Sequence, residues 1–243
     1  MPKVTIRPDN ISFDAKDEES ILATALQHNF NLPHGCKNGL CGACKCKVTS
    51  GNILLDEYNK IVLSDEEINQ GYTLLCKAHP INDVELFIPE LLNGFPIKII
   101  PAKVISVKKI NNIAIVKMKT PQNQKFGFYA GQYIDIIVNG KNRSYSIANA
   151  CYDNGEVEAH VKYHSGGVFS EFVWNRLKEG DILRFKGPLG NFKLRKSDNP
   201  VIFVCTGTGF APVKSFLEEY AKEHTYREMY LYWGNREVKD FYL

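Results

Sequence analysis

The sequence predicts an α+β chain of several domains: a small mixed sheet, an antiparallel six-stranded barrel, and the beginning of an α/β domain. Residues 1–90 show a hairpin, a helix and returning strands around a cysteine-rich loop. Residues 101–197 contain six short alternating strands with turn residues between them, the pattern of a small barrel. Residues 198–243 start with a continuous apolar run, a glycine-rich turn and a helix, which is typical of a parallel sheet. Residues 91–100, which include a glycine and a proline, are predicted to be a linker.

The elements of the first ninety residues each have a local signal. Two alternating segments on either side of residues 8–10 predict a β-hairpin. Ser20 precedes apolar residues at helical spacing, and Ser64 opens a capping box, so both serines predict helix starts. Alternating residues predict two further strands at 45–49 and 84–88.

The cysteine-rich loop places Cys36, Cys41 and Cys44 at the spacing C-x4-C-x2-C, and Cys76 follows after a long gap. This is the plant-type ligand spacing of a [2Fe–2S] cluster, so these four thiolates are the predicted metal ligands. Glycines can take positive φ and let backbone N–H groups approach the inorganic sulfurs. The glycines expected to do so are Gly35, Gly39 and Gly42.

Other uses of the cysteines agree less well with the sequence. A zinc site usually shows two close Cys or Cys/His pairs. A disulfide framework is disfavoured by the odd count of seven cysteines and by the lack of a secretory signal. Cys46 lies two residues beyond the third ligand and is interpreted as a small buried apolar residue.

Two motifs accompany the predicted barrel strands. Arg143, Tyr145 and Ser146 lie on one strand, where they could pair with a phosphate, stack on a flat heterocycle and reach a ring nitrogen. Gly167 ends a glycine turn that opens a helix, and a helix start offers N–H groups to a pyrophosphate. Taken alone, the strand motif is a weak signal, with an ordinary exposed strand as the alternative. The glycine turn, taken alone, is better explained by a plain helix start. The six strands are predicted at 103–107, 113–117, 133–138, 143–147, 157–163 and 182–186.

The final segment predicts a buried parallel strand at 201–205, a glycine turn, a helix that begins at Pro212, and a second strand at 228–233. Two strands and one helix cannot cover both faces of a parallel sheet. We therefore expect a nucleotide domain that has been cut. We also expect apolar groups without cover on both strands and lower stability than in the first two domains.

In combination these motifs resemble known families. Residues 1–90 resemble the β-grasp domain of plant-type ferredoxins, and residues 101–197 resemble the flavin domain of the ferredoxin–NADP reductase superfamily. The resemblance implies FAD-binding positions at Arg143, Tyr145, Ser146, Gly167, Val168 and Ser170. It makes Tyr145 and Ser146 the catalytic pair that holds the isoalloxazine. It places NAD(P)H at Thr206, Gly207, Thr208, Gly209 and Gly234.

The order of the modules resembles single-chain reductases that pass electrons from NAD(P)H, with NADH favoured, through FAD and a [2Fe–2S] cluster to a partner protein. NAD(P)H gives two electrons together and the cluster takes one at a time, so FAD must lie between them. A narrower resemblance is to reductases of the CDP-6-deoxy-3,4-glucoseen type, on residues 143–150, 209–215 and 232–234. The implied partner is a dehydrase or an oxygenase component. The alternatives are a reductase component of a ring-hydroxylating oxygenase and a truncated, non-catalytic electron carrier.

Charge and composition exclude other classes. Residues 1–90 carry 8 Lys and Arg against 13 Asp and Glu, whereas the remainder carries 22 against 14. This charge asymmetry has three possible explanations: the two parts dock on each other, each part faces a different partner, or the asymmetry has no function.

The sequence lacks the signals of two other classes of protein. It has no basic cluster interleaved with aromatic residues, which would predict nucleic-acid binding, and no apolar run long enough to predict a membrane span. Reduced, metal-binding cysteines predict the cytoplasm. His34, His160 and His164 are expected to be structural, because hydride transfer needs no proton shuttle there.

Overall fold

The computed structural model describes residues 1–16, 18–89, 91, 94–152, 154–195, 197–223 and 227–243. The chain divides into two compact units. Unit 1 comprises Met1–Pro96 and Gly190–Phe192, and unit 2 comprises Ile97–Leu189 and Lys193–Leu243. Residues 92 and 93 of the predicted linker, and residue 90 at the end of the predicted first domain, lie outside the described residues. The predicted boundaries at 90, 100 and 197 stay predictions.

Unit 1 is built on a five-stranded mixed sheet. Its elements are β1 (Lys3–Arg7), β2 (Ile11–Asp14), α1 (Ile21–Gln27), β3 (Lys45–Ser50), β4 (Ile53–Leu55), α2 (Asp65–Asn69), β5 (Tyr72–Leu74), β6 (Ala78–Pro80) and β7 (Val84–Phe87). The strand order in the sheet is β2-β1-β7-β3-β5, with β1 and β7 parallel. The predicted hairpin is confirmed as β1 and β2. β4 and β6 were not predicted, because they pair with each other over only three residues each and are too short to show a period.

Both predicted helix starts in unit 1 are confirmed. The Ser20 hydroxyl accepts a hydrogen bond from the backbone N–H of Ala23 at 3.2 Å. Ser64 and Glu67 form the reciprocal capping box, with N···O distances of 3.2 and 2.9 Å. Such caps stabilise a helix by about 1 kcal/mol each because they satisfy orphan N–H groups of the first turn. α1 then packs its apolar face into the core below the sheet, where Ile21 is fully buried.

Unit 2 begins with a six-stranded antiparallel sheet that curls into a barrel. Its elements are β8 (Lys98–Ile110), β9 (Ile113–Lys119), β10 (Tyr133–Val138), β11 (Lys141–Ser146), β12 (Glu156–Lys162), α3 (Val168–Asn175) and β13 (Ile182–Leu189). The strand order is β11-β10-β13-β8-β9-β12. The two edges meet at one isolated bridge between Ile147 and Ala159. The prediction of an antiparallel six-stranded barrel is confirmed, although β8 starts inside the segment predicted to be a linker.

The last segment of unit 2 has the predicted order. It consists of β14 (Val201–Thr206), a 3₁₀ turn (Gly207–Gly209), α4 (Phe210–Glu223) and β15 (Met229–Gly234), with the two strands parallel. The prediction that residues 201–205 form a fully buried strand was wrong on one face. Ile202 and Val204 are 65% and 76% exposed, because α4 covers only the opposite face, where Phe203 packs on Phe216. The expectation of apolar groups without cover is thereby confirmed.

A buried carboxylate joins the barrel to α4. Glu158 on β12 lies 2.8 Å from His160 and 3.0 Å from the Lys214 ammonium, and Lys117 of β9 lies 3.6 Å away. Burial disfavours the ionised carboxyl. The hydrogen bond with His160 and the charge of Lys214 outweigh that cost and lower the pKa of Glu158 from 4.5 to about 2. His160 also forms a hydrogen bond with the Tyr242 hydroxyl at 2.8 Å.

This lowered pKa predicts an acid-dependent stability of unit 2. A carboxyl with a depressed pKa in the folded state stabilises the fold above its ordinary pKa of 4.5, and this contribution is lost as pH falls towards about 2. The loss over that window is about 3 kcal/mol. Both tryptophans, Trp174 and Trp233, belong to unit 2, so urea unfolding followed by tryptophan fluorescence reports on it.

The matched comparison is Glu158→Gln against Glu156→Gln on the same strand. We expect the acid-side slope of the unfolding free energy to flatten in Glu158→Gln and to persist in Glu156→Gln. Equal slopes in both variants would show that Glu158 does not carry the effect.

Candidate cofactor sites

Two of the four predicted metal ligands, Cys44 and Cys76, meet at the edge of the unit 1 sheet. Cys44 directly precedes β3 and Cys76 follows β5, and these two strands are antiparallel neighbours. The backbone N–H of Leu75 donates to Cys44 O at 3.1 Å, which closes the ladder at this end. The Sγ atoms of Cys44 and Cys76 consequently lie 3.4 Å apart although 32 residues separate them.

The other two predicted ligands, Cys36 and Cys41, are exposed. The N–H of Leu40 donates to the Cys36 Sγ, and the N–H of Cys36 donates to the Cys41 Sγ, both at 3.4 Å. N–H groups aimed at sulfur stabilise thiolate ligands and the anionic cluster they hold. Among the described residues, no group of three or more His, Cys, Asp or Glu side chains is arranged to hold a single metal ion. Two thiolate pairs suit a [2Fe–2S] cluster, in which each iron takes two protein ligands.

The glycines of the loop have two different roles. Gly39 and Gly42 have φ of +80° and +70°, as predicted, in the region that side chains disfavour. Gly35 has no positive φ, so that part of the prediction was wrong. A Cβ at Gly35 would instead lie 3.2 Å from the Cys41 Sγ. Its lack of a side chain therefore leaves space beside a ligand. The positive φ of Lys37, +63°, was not foreseen.

The predicted flavin strand is β11, an edge of the barrel. Arg143 is exposed, and the Tyr145 ring packs 5.1 Å from Phe169 of α3. Burial raises the pKa of Tyr145 to about 12, against a smaller opposing effect of Arg143, so its phenol is neutral at physiological pH. Ser146 follows on the same strand and is partly buried. A cation, an aromatic ring and a hydroxyl thus occupy one strand end.

The predicted pyrophosphate turn precedes α3. Gly167 is the N-cap and provides no side-chain cap, which leaves N–H groups of the first turn for a ligand. A Cβ at Gly167 would lie 2.4 Å from the Ser170 Oγ and 2.9 Å from His164 O, so only glycine fits. The Ser170 hydroxyl accepts from His164 N at 3.1 Å and donates to His164 O at 2.9 Å. Ser170 therefore shapes the turn, and Val168 is the first residue of the helix.

The predicted nucleotide residues lie at the carboxyl ends of β14 and β15, where Thr206 is the register partner of Gly234. Ligands of open α/β sheets bind at this edge. An open cavity of about 470 Å³ lies there. Its lining residues are Lys162, Thr206, Gly207, Thr208, Gly234, Asn235, Arg236 and Asp240. Gly209 is the one predicted nucleotide residue that is not part of this lining.

Two residues next to Gly234 have roles that were not predicted from the sequence. The Trp233 indole N–H donates to Gly207 O at 3.0 Å, and its ring stacks on Phe210 at 4.2 Å, so Trp233 holds the turn in place. The amide nitrogen of Asn235 is buried and has no hydrogen-bond partner among the described residues. Such an orphaned donor at a cavity wall suits a polar ligand. The only signal available was their position next to Gly234.

Comparison with known proteins follows the same three-part division. Residues 4–80 match the family model of the 2Fe-2S iron–sulfur cluster binding domain. Residues 101–194 match that of the oxidoreductase FAD-binding domain, and residues 203–243 match that of the oxidoreductase NAD-binding domain. The CDP-6-deoxy-L-threo-D-glycero-4-hexulose-3-dehydrase reductase of Yersinia pestis is 39% identical, and the match covers 98% of this chain and 73% of that protein. The chain belongs to the ferredoxin–NADP reductase-like family of [2Fe–2S] flavoprotein reductases.

Two further relatives of this reductase extend the comparison. The reductase component of propane 2-monooxygenase from Mycolicibacterium goodii is 33% identical, over 99% of this chain and 72% of that protein. The crystal structure of the Amycolatopsis cytochrome P450 reductase GcoB superposes with a TM-score of 0.77 at 29% identity, over 100% of this chain and 74% of that one. In the part of the chain that the structure describes, no helix has the length and apolar character needed to cross a membrane.

Proposed function

We propose that this reductase takes electrons from NADH and delivers them to a dehydrase that acts on a CDP-linked 6-deoxy-4-hexulose. The observation that carries the proposal is the 39% identity to a dehydrase reductase across 98% of the chain, through all three modules. The chemistry that the bound groups supply is hydride acceptance at FAD and one-electron transfer at the [2Fe–2S] cluster. The residues of the chain bind and orient those groups.

The four cysteines hold the cluster as two pairs, Cys36 with Cys41 and Cys44 with Cys76. The support is the 3.4 Å Sγ–Sγ distance of the second pair and the N–H groups aimed at the sulfurs of the first. In this proposal Lys37 and Gly39, both at positive φ, set the path of the loop around the cluster.

On the barrel, Arg143 binds a phosphate of FAD, and Tyr145 and Ser146 position the isoalloxazine. The turn at Gly167 and Val168 presents first-turn N–H groups to the pyrophosphate, and Ser170 holds that turn. A flexible, exposed guanidinium and open N–H groups are the donors that phosphate oxygens prefer.

Pyridine nucleotide occupies the cavity at the ends of β14 and β15. Thr206, Gly207, Thr208 and Gly234 line this cavity, and Gly234 is the register partner of Thr206 on the neighbouring strand. Gly209, which does not line the cavity, ends the 3₁₀ turn directly before α4. No side chain needs to move a proton for hydride transfer. His34 is buried, with its ring nitrogen 2.6 Å from Leu32 O, and is structural. We also propose a cytoplasmic location, because thiolate metal ligands need a reducing compartment.

Anaerobic mixing with NADH tests the proposal. We expect the flavin absorbance to bleach first and the visible absorbance of the cluster to fall afterwards, because the hydride must reach FAD before single electrons reach the irons. NADPH, mixed at the same concentration, should act more slowly. Protein that contains both cofactors but shows neither change with either nucleotide would instead be a non-catalytic electron carrier.

A reductase component of an oxygenase is the second candidate, favoured by the 33% identity to the propane 2-monooxygenase component. The two candidates differ in the acceptor alone. The reduced protein should be mixed with a sugar dehydrase and, separately, with an oxygenase component. Reoxidation of the cluster by the oxygenase and not by the dehydrase would favour this second candidate.

A further inference from the structure

Side chains of helix α4 form hydrogen bonds with the backbone of the segment that follows the flavin strand. Four consecutive residues of that segment, 148–151, each hydrogen-bond one α4 side chain. Ala148 O accepts from Lys214 Nζ at 3.3 Å, Asn149 O from Ser215 Oγ at 2.7 Å and Cys151 O from Lys222 Nζ at 2.8 Å, while Ala150 N donates to Glu218 Oε2 at 3.0 Å. These backbone groups are thus satisfied by a helix instead of a strand.

The four side chains form one face of α4, which we call the α4 polar face: Lys214, Ser215, Glu218 and Lys222. Their spacing of one, four and eight residues places them on one side of a helix. The opposite side is apolar and packs against β14, with Phe216 6.0 Å from Phe203. The helix therefore contacts the sheet on one side and the segment 148–151 on the other.

The beginning of α4 lies at the nucleotide turn. Phe210, its first residue, follows Gly209 directly and stacks on Trp233, which bonds Gly207 O. The segment 148–151 in turn follows β11 after one residue, Ile147. One rigid helix therefore connects the backbone of the nucleotide turn to the end of the flavin strand.

We propose that the α4 polar face is a positioning element that sets the distance between the nucleotide turn and the flavin strand. The inference rests on the proposed function. Hydride transfer needs reacting atoms about 3–3.5 Å apart, and a displacement of about 1 Å can cost about a hundredfold in rate. The α4 polar face touches neither predicted cofactor site, so its loss lowers the rate of hydride transfer without lowering cofactor content.

Glu218→Ala against Glu223→Ala is the matched test. Both variants remove one carboxylate from the same helix, and alanine favours the helix. Of these two glutamates, only Glu218 contacts the segment 148–151 and forms an ion pair with Lys214, whereas Glu223 is exposed. Glu218→Gln keeps an acceptor for the Ala150 N–H and should restore most of the wild-type behaviour.

The first measurement is hydrogen–deuterium exchange of the protein without nucleotide. In Glu218→Ala we expect faster exchange at residues 148–151 and at Gly207–Gly209, and unchanged exchange in β9. The second measurement is anaerobic flavin reduction by NADH. Its limiting rate should fall about tenfold, with FAD content and the half-saturating NADH concentration unchanged.

Identical exchange and rates in Glu218→Ala and Glu223→Ala would overturn the proposal. So would a loss of FAD from Glu218→Ala, since that would make Glu218 part of the flavin site. If Glu218→Ala does not fold, Lys222→Gln at the exposed end of the face takes its place: faster exchange at 148–151 supports the proposal, and wild-type exchange overturns it. If wild-type protein is not reduced by NADH, the proposed function fails, and the exchange measurement still decides the role of the α4 polar face.

Discussion

The Cys41→Ala variant is expected to lose the iron and the visible absorbance of the cluster, while its flavin is still reduced by NADH. A missing thiolate leaves one iron with an open position, and the alanine methyl cannot replace the ligand. Mutating residues that only hydrogen-bond to metal ligands typically lowers activity by about 10–100-fold. Because Cys41→Ala removes a ligand itself, the rate of electron transfer to a one-electron acceptor should fall by more than this. Iron analysis and anaerobic stopped-flow absorbance measure the two effects separately.

Cys46→Ala is the matched control. Cys46 lies two residues beyond Cys44 within β3, is 6% exposed, and is paired with Thr73 in the ladder with β5. Cys46→Ala also removes one sulfur atom, but from the buried core, and it should leave the cluster in place. Cluster loss in both variants, or a full cluster in Cys41→Ala, would contradict the ligand assignment. Simultaneous loss of flavin reduction in Cys41→Ala would contradict the independence of the two cofactor sites.

The Arg143→Ala variant is expected to bind FAD about 10–150-fold more weakly. A charge-assisted hydrogen bond to a phosphate contributes about 1.5–3 kcal/mol, and each 1.4 kcal/mol is about a factor of ten. The exposed position of Arg143 on β11 means that its removal leaves no cavity in the core. Titration of the deflavinated protein with FAD measures the affinity, and the iron content serves as the internal reference for folded protein.

Lys141→Ala removes the same charge from the same strand. Lys141 is also exposed and lies two residues earlier, so it belongs to the same side of β11. We expect its FAD affinity to change little. Equal weakening in both variants would indicate a general effect of positive charge, and unchanged affinity in Arg143→Ala would show that another group binds the phosphate.

Two local sequence patterns differ from what the structure shows, and the reason is the same. The apolar run at 201–205 is typical of a buried strand, yet Ile202 is 65% exposed, which agrees with the expectation of apolar groups without cover. Residues 98–100 of the segment predicted to be a linker belong to β8, where Ile99 pairs with Lys186. Locally, a proline indicates a break in a strand, and an apolar run indicates burial in the core. Whether the segment joins a sheet, and whether the run is covered on both faces, depends on neighbouring strands and helices that are distant in sequence.

What the sequence determined by itself was local. The caps at Ser20 and Ser64, the first hairpin and the three cysteines of one loop depend on residues a few positions apart, so spacing was enough to predict them. The tertiary structure alone decided three things: the approach of Cys76 to Cys44, the contact of Trp233 with Gly207, and the binding of segment 148–151 by α4. Each of these joins groups at least 26 residues apart. Such contacts depend on how strands and helices pack, and no periodicity or spacing encodes which partner a side chain will meet.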